Sequence, residues 1–457
     1  MPNNPSQVLS NAKRIHMIGI GGAGMCPLAE ILHSRGYVLS GSDNNQTDTL
    51  ERVRSLGVRV TLGHSPENIG DAQAVVYSAA IMKDNPELRA AFDSGLPVLE
   101  RSELLGAVTR QYGNVISVCG THGKTTVSSM ITHILIKSGL EPSAVIGGKL
   151  PLINANGLAG ASDTLVCEAC EYVDTFLKLS TDKTVVLNID ADHLEYFKTV
   201  DNLILSFRKF ADMTTDLLII NGEDARTLRA VGGLDKRVIT FGFGEDNDYY
   251  TGNIQKLAGT QTRFDLYHKG ELLCGITLSI PGRHNILNAV AACAASLDEG
   301  VSPAQLSAAL ESFTGAGRRF EVLGNPRGIT VADDYAHHPA ELEVTLKTAM
   351  EMGFNRVIAI FQPFTFSRTQ MLLDEFAQAL SIPDICILTP IMGSREVNTY
   401  GIRTQDLGEK IPGAVWFDTF EQVAEHAVKK AQPGDLIITM GCGDVYKVAK
   451  IILNNFQ

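Results

Sequence analysis

The chain has 457 residues, too many for one hydrophobic core and enough for about three domains, with the 44% hydrophobic and 20% charged content of a soluble globular protein. Its 39 Lys and Arg against 51 Asp and Glu give a formal net charge of −12, which argues against a nucleic-acid groove or an anionic membrane surface as partner while allowing an anionic small substrate in a local basic site. No apolar run nears the ~20 residues of a membrane span, and Met1-Pro2-Asn3-Asn4-Pro5-Ser6 has no basic stretch leading into an apolar one, so neither insertion in a membrane nor a signal peptide is expected. Cys26, Cys119, Cys167, Cys274 and Cys293 lie in apolar segments, which fits buried free thiols in a reducing cytoplasm.

Apolar β-rich runs alternate with amphipathic helical patterns, which predicts a parallel α/β architecture in three units. Residues 1–113 open with a strand over Arg14–Ile20. The loop Gly19-Ile20-Gly21-Gly22-Ala23-Gly24-Met25 follows, then a helix over Cys26–Ser34 and a strand ending at Ser42-Asp43. Glycines between a strand and a helix, with an acidic residue about 20 positions on, suit a diphosphate on the helix N-terminus. On the residues alone, NAD and a UDP-sugar both fit, and Gly21, Gly22, Gly24, Met25 and Asp43 are the binding candidates. Arg110–Asn114 reads as a linker.

Residues 114–315 carry Gly120-Thr121-His122-Gly123-Lys124-Thr125-Thr126 between the strand Val115–Cys119 and a helix predicted over Val127–Leu135. Backbone N–H groups of such a loop close around phosphate oxygens. Lys124 reaches the β- and γ-phosphates and the Thr125 hydroxyl holds Mg²⁺. The spacing departs from G-x-x-x-x-G-K-[ST] because residue 118 is Val. Further strands are predicted at 163–168, 184–188, 217–220 and 273–280, and a helix at 284–298. Glu168 ends one of these strands, and Asn188-Ile189-Asp190-Ala191-Asp192-His193 follows another. Carboxylate and imidazole at strand C-terminal edges are candidates to hold Mg²⁺ against phosphates, though such residues also serve as helix caps. Asn285 and Asn288 are three apart on one helix face, so their carboxamides suit an adenine edge, with capping as the alternative for Asn285.

Residues 316–457 begin at Gly317-Arg318-Arg319-Phe320, with strands predicted near 329–333, 356–361, 384–389 and 435–440. Asp333-Asp334-Tyr335-Ala336-His337-His338-Pro339 and Phe361-Gln362-Pro363-Phe364-Thr365-Phe366-Ser367-Arg368-Thr369 each follow a strand. Arginine there suits phosphate or carboxylate, because its fork binds both bidentately.

Taken together these motifs resemble those of the Mur ligases, the ATP-dependent amino-acid ligases of peptidoglycan synthesis. The resemblance rests on residues 120–126, 188–193, 282–288 and 317–320, in the family's order and across nearly the whole chain. It implies an N-terminal Rossmann-like UDP-sugar domain, a central ATPase domain of P-loop type with a mostly parallel sheet, and a C-terminal Rossmann-like domain. Within the family, residues 19–25, 40–43, 333–339 and 361–369 look like the member that joins L-alanine to UDP-N-acetylmuramate. The alternative is a ligase that recycles murein tripeptide onto the same sugar nucleotide.

The resemblance further implies that residues 120–126 bind ATP and that Thr125, Glu168 and His193 hold Mg²⁺. It implies that Asn285 and Asn288 hold adenine, that Arg319 lies on the γ-phosphate and that Asp334 lies near the ribose. Tyr335, His337, Phe364 and Arg368 would surround the amino acid, with Lys124, Arg319, His337 and Arg368 catalytic. The family pattern has His where this chain has Phe364. Where other members carry a carbamylated lysine, the stretch Leu205–Phe210 sets Phe207.

Overall fold

A computed structural model describes residues 4–257, 260–394 and 396–456. Three sheets organise the chain. The first has five strands, all parallel, in the order Arg59–Leu62, Val38–Asp43, Arg14–Ile18, Ala74–Tyr77, Val98–Glu100. The order reverses beside Arg14–Ile18, the strand that leads into the first glycine loop, and ligands of doubly wound sheets sit at such a reversal. The second sheet has ten strands. Its centre runs Leu217–Asn221, Lys183–Val186, Asn114–Cys119, Thr164–Glu168, Ser143–Leu150, all parallel. The third has six strands, with Thr330–Asp334, Leu436–Met440, Val357–Phe361 and Ile385–Leu388 parallel at its centre and Glu321–Gly324 antiparallel at one edge.

These strands form where the sequence is continuously apolar. Leu217–Asn221, Val357–Phe361 and Leu436–Met440 are buried at every position, as strands covered on both faces must be. The helix Cys26–Ser34 begins with Pro27 near its N-terminus, where a missing N–H costs nothing. The predicted strands and helices all appear within a few residues of their expected ends. One shift matters: the second-sheet helix starts at Lys124, not Val127, so Lys124, Thr125 and Thr126 form its first turn. In the second sheet five strands escaped prediction, Ser143–Leu150, Ala155–Leu158, Arg237–Phe241, Tyr249–Lys256 and Thr262–His268, as did Arg59–Leu62, Ala74–Tyr77 and Val98–Glu100 in the first and Glu321–Gly324 and Val415–Trp416 in the third. Several carry exposed polar positions that dilute the apolar signal.

The chain divides into two compact units. One comprises the residues up to Lys256 with Arg263–Leu278 and Arg283–Phe313, and holds the first sheet together with the core of the second. One apolar cluster runs from Met17, Leu28 and Leu104 to Val115, Leu165 and Phe176, and a smaller one gathers Ile18, Ile69, Val75 and Leu88. Phe207 belongs to the larger cluster, 1% exposed and packed on Phe176. The other unit comprises Thr314 onward with Leu257–Thr262 and Ser279–Gly282. Its sheet is covered on its two faces by separate apolar clusters, one around Leu342, Phe361 and Phe376, the other around Val331, Ile360 and Val448.

Cys26, Cys119, Cys167, Cys293 and Cys386 are buried free thiols, whereas Cys274 is only half-buried. Cys167 and Cys170 stand three residues apart, and both are free. Among the described residues, no helix is long and apolar enough to cross a membrane.

Candidate active site

The phosphate loop is shaped by two left-handed glycines, Gly120 at φ +139° and Gly123 at φ +88°, conformations that a side chain resists. Gly123 stands before the helix Lys124–Lys137 and leaves the first-turn N–H groups without a side-chain cap, the arrangement that receives an anion. The loop following Lys183–Val186 stitches it in place. Thr121 N–H donates to Asn188 O at 3.0 Å, His122 N–H to Asn188 Oδ1 at 2.8 Å, and Asp190 N–H to Thr121 Oγ1 at 2.8 Å. A Cβ on Gly123 would lie 2.8 Å from Asn288 Oδ1, so Asn288 rests against the loop. Asn288 also donates to Asn285 Oδ1 at 3.1 Å. The two carboxamides are therefore paired, nearly buried and inside the helix Arg283–Asp298, which rules out N-capping for Asn285.

Lys124 is not waiting unpaired. Its Nζ donates to Gly120 O at 2.6 Å and Thr121 O at 3.1 Å, and lies 3.0 and 3.1 Å from the carboxylate oxygens of Glu171. Burial works against the ammonium, but the charge and hydrogen bonds of Glu171 together with the nearby Cys170 and Glu168 outweigh it and hold the Lys124 pKa above its usual value. Glu171, 1% exposed, is a residue the motif reading passed over. Its only sequence cue was a second carboxylate three residues after Glu168.

Glu168 accepts from Gly147 N–H at 2.5 Å and from Ser128 Oγ at 3.2 Å. Ser128 is one turn beyond Lys124, so this carboxylate stands beside the helix start that carries Thr125. A hydroxyl and a carboxylate are the hard oxygen donors that Mg²⁺ takes, so Thr125 and Glu168 fit the ion. His193 sits on the next loop at φ +54°, with Asp192 and Glu195 carboxylates 3.6 and 3.5 Å from its ring nitrogens and the Tyr172 ring tilted against it, centroids 4.7 Å apart. Among the described residues no cluster of three or more His, Cys, Asp and Glu gathers around one point.

In the first sheet, the glycine loop is tied to its own acidic residue. Asp43 Oδ2 accepts Gly21 N–H at 3.0 Å and Oδ1 accepts Asn45 N–H at 3.0 Å. Gly19 and Ile20 donate to Ser42 O, and the Ser42 hydroxyl donates to Glu87, a fully buried carboxylate that also receives His16 and His64. Gly22 faces Gly19 O, leaving little room for a side chain. Met25 is a correction: its side chain is wholly buried and its N–H bonds Gly22 O, so it supports the loop from the core.

In the second unit the adjacent arginines separate by role. Arg318 is spent on Asp333 Oδ2 at 2.7 Å, Gly443 O at 3.0 Å and Gly441 O at 2.5 Å. Arg319 makes no such bonds and lies over the Tyr335 ring, 5.3 Å from its centroid. Arg318 and Phe320 both have positive φ, which turns Arg319 out between them. Asp334 corrects its expectation. It is buried and accepts Phe320 N–H at 2.7 Å and Ala336 N–H at 2.8 Å, so it braces the Arg319 loop and is not presented to a ribose.

His337 Nδ1 faces two acceptors, Tyr335 O at 3.0 Å and Glu341 Oε2 at 3.2 Å, so Nδ1 is the nitrogen that donates to them. Burial would raise the Glu341 pKa, but its bonds to His337, the charge there and that of Arg319 hold the carboxyl well below the usual carboxylate range. Phe364 is half-buried and bridges to Met392. Arg368 lies on the short helix Phe366–Met371, half-exposed.

Three family models cover most of the chain: "Mur ligase family, catalytic domain" over residues 14–113, "Mur ligase middle domain" over 118–296 and "Mur ligase, glutamate ligase domain" over 318–443. The chain belongs to the Mur ligase family. This Mur ligase is 42% identical over 452 residues to UDP-N-acetylmuramate–L-alanine ligase of Acetivibrio thermocellus, covering 97% of this chain and 96% of that one. It is 39% identical to the like-named protein of Caldanaerobacter subterraneus subsp. tengcongensis, covering 97% and 98%. The crystal structure of UDP-N-acetylmuramate-alanine ligase from Thermotoga maritima superposes with a TM-score of 0.82 at 27% identity, covering 97% and 99%. This Mur ligase is thus an α/β protein of three domains and an ATP-dependent ligase.

Proposed function

We propose that this Mur ligase joins L-alanine to the lactyl carboxylate of UDP-N-acetylmuramate with conversion of ATP to ADP and phosphate, in cytoplasmic synthesis of peptidoglycan precursors. The observation that carries this is full-length similarity near 40% identity to relatives that bear that activity in their name. This similarity does not favour the tripeptide-recycling alternative. The division of labour follows the three domains: residues 1–113 bind the UDP-sugar, 114–315 bind ATP, and 316–457 contact ATP and the amino acid.

The lactyl carboxylate attacks the γ-phosphate, giving an acyl phosphate and ADP, and the alanine amine then displaces phosphate. Two anions meet in the first step, so positive charge is the main requirement. Residues 120–126 cradle the phosphates with backbone N–H groups, while Lys124 and Arg319 supply the charge. Thr125, Glu168 and His193 would hold Mg²⁺, which when bound neutralises charge on the phosphate oxygens. Asn285 and Asn288 serve the nucleotide from behind Gly123. Gly21, Gly22 and Gly24 admit the sugar-nucleotide diphosphate, with Asp43 and Met25 fixing their loop. Tyr335, Phe364 and Arg368 line the amino-acid side, where Arg368 takes the alanine carboxylate. His337 Nε2, its tautomer set by Tyr335 O and Glu341, accepts the proton the amine must lose.

The test is the product. Mass spectrometry after incubation with UDP-N-acetylmuramate, ATP, Mg²⁺ and an equimolar mixture of L-alanine and murein tripeptide should show the alanyl product. A tripeptide product in its place overturns the reading.

A further inference from the structure

We infer that Arg101, which no motif singled out, is a binding residue for the diphosphate of the sugar nucleotide. The inference rests on the UDP-sugar reading of the first glycine loop. A cavity of about 310 Å³ opens within the first compact unit, bounded by Gly24, Arg101, Val145, Gly147, Glu168 and Phe176 among others, which places it at the small end of ligand pockets. Arg101 is its only basic lining residue and Glu168 its only acidic one.

The Glu168 carboxylate is committed to Gly147 N–H and Ser128 Oγ. The Arg101 guanidinium has no hydrogen bond or ion pair with another described residue. An arginine fork facing a cavity whose one carboxylate is engaged with other groups is poised for an anion from outside the chain.

Its base is rigid. Arg101 is the first residue of the helix Arg101–Thr109, whose start is closed by a capping box between Glu100 and Glu103. Lys178 Nζ ties down both neighbours, at 2.7 Å from Ser102 Oγ and 3.4 Å from Glu100 Oε2. Its tip is aimed. A Cβ built on Gly24 would lie 3.3 Å from Arg101 Cδ, 3.4 Å from Nη1 and 3.5 Å from Nε. The guanidinium therefore lies against the last glycine of the loop whose backbone and following helix favour a diphosphate. The lactyl carboxylate is the other anion the substrate brings, and contact with Gly24 favours the diphosphate.

Calorimetric titration of the intact protein with UDP, UDP-N-acetylmuramate and ATP tests this in the wild type, Arg101→Lys and Arg101→Ala. Arg101→Ala should weaken UDP and UDP-N-acetylmuramate alike by about tenfold or more, the loss of a charge-assisted bond. Arg101→Lys should recover only part of this, because it keeps charge but lacks the fork. ATP affinity should not change in either variant. Unchanged UDP binding overturns the inference, whether or not UDP-N-acetylmuramate weakens; weakening of the latter alone would assign the guanidinium to the lactyl carboxylate. Failure of the wild type to bind UDP at all defeats the underlying reading instead.

Discussion

Glu171 holds Lys124 by both carboxylate oxygens, 3.0 and 3.1 Å from Nζ, in a pair whose acidic side chain is 1% exposed. The lysine proposed to serve the phosphates thus also neutralises a buried carboxylate. Lys124→Ala should abolish ligation, with a rate loss on the order of 10²–10³. It should also destabilise the protein by about 3–5 kcal/mol, because Glu171 is left charged and unpaired. The double variant Lys124→Ala/Glu171→Gln should recover most of the stability and none of the activity. Chemical denaturation of both beside wild type checks this; equal stability of Lys124→Ala and wild type would show that the pair does not exist in solution.

The metal reading makes a separate demand. Glu168→Gln and His193→Ala should each raise the Mg²⁺ concentration for half-maximal rate, since each removes one protein ligand from an ion that keeps mostly water and phosphate oxygens. Unchanged Mg²⁺ titrations in both variants would move the site elsewhere.

On the proposed reading, Phe364 stands where the family pattern has a hydrogen-bonding residue, which leaves Arg368 to take the alanine carboxylate. Arg368→Lys should raise the amino-acid KM far more than the KM for ATP or the sugar nucleotide, because the bidentate fork is lost while the charge stays. L-Serine and glycine should be poorer substrates than L-alanine by about 1–3 kcal/mol in kcat/KM. A KM effect spread evenly over all three substrates contradicts this assignment.

Burial raises the Asp334 pKa from 3.8 to about 6, although Arg319 and two backbone N–H groups oppose the shift. The native state therefore binds this proton more tightly than the unfolded chain. The contribution to stability is complete below the unfolded pKa and is lost as pH rises through about 6. Asp334→Asn has no such titration. The stability of wild type relative to Asp334→Asn should fall by up to about 3 kcal/mol between pH 4 and pH 7. Paired denaturant melts at the two pH values read this difference; a difference independent of pH means the carboxyl titrates normally.

The parts most legible in the sequence were those governed by local rules. Continuous apolar runs such as Leu217–Ile220 marked central strands, and Gly120 and Gly123 marked the phosphate loop because few other residues adopt their backbone angles. What stayed hidden depends on long-range neighbours. Nothing near Glu171 in sequence says that its carboxylate meets Lys124, 47 residues away. Nothing in Arg318-Arg319 says which arginine Asp333 takes. The family resemblance set Asp334 near the ribose, yet the chain folds back so that Phe320 N–H reaches its carboxylate. Arg101 lacked any motif, and only the fold sets it against Gly24.

The central claim is tested most directly by phosphate release across the twenty amino acids, with ATP, Mg²⁺ and UDP-N-acetylmuramate supplied, and with each of ATP, sugar nucleotide and amino acid omitted in turn. Release should be fastest with L-alanine and should vanish whenever any one of the three is left out. Release that persists without UDP-N-acetylmuramate, or that favours a polar amino acid over alanine, would contradict the account.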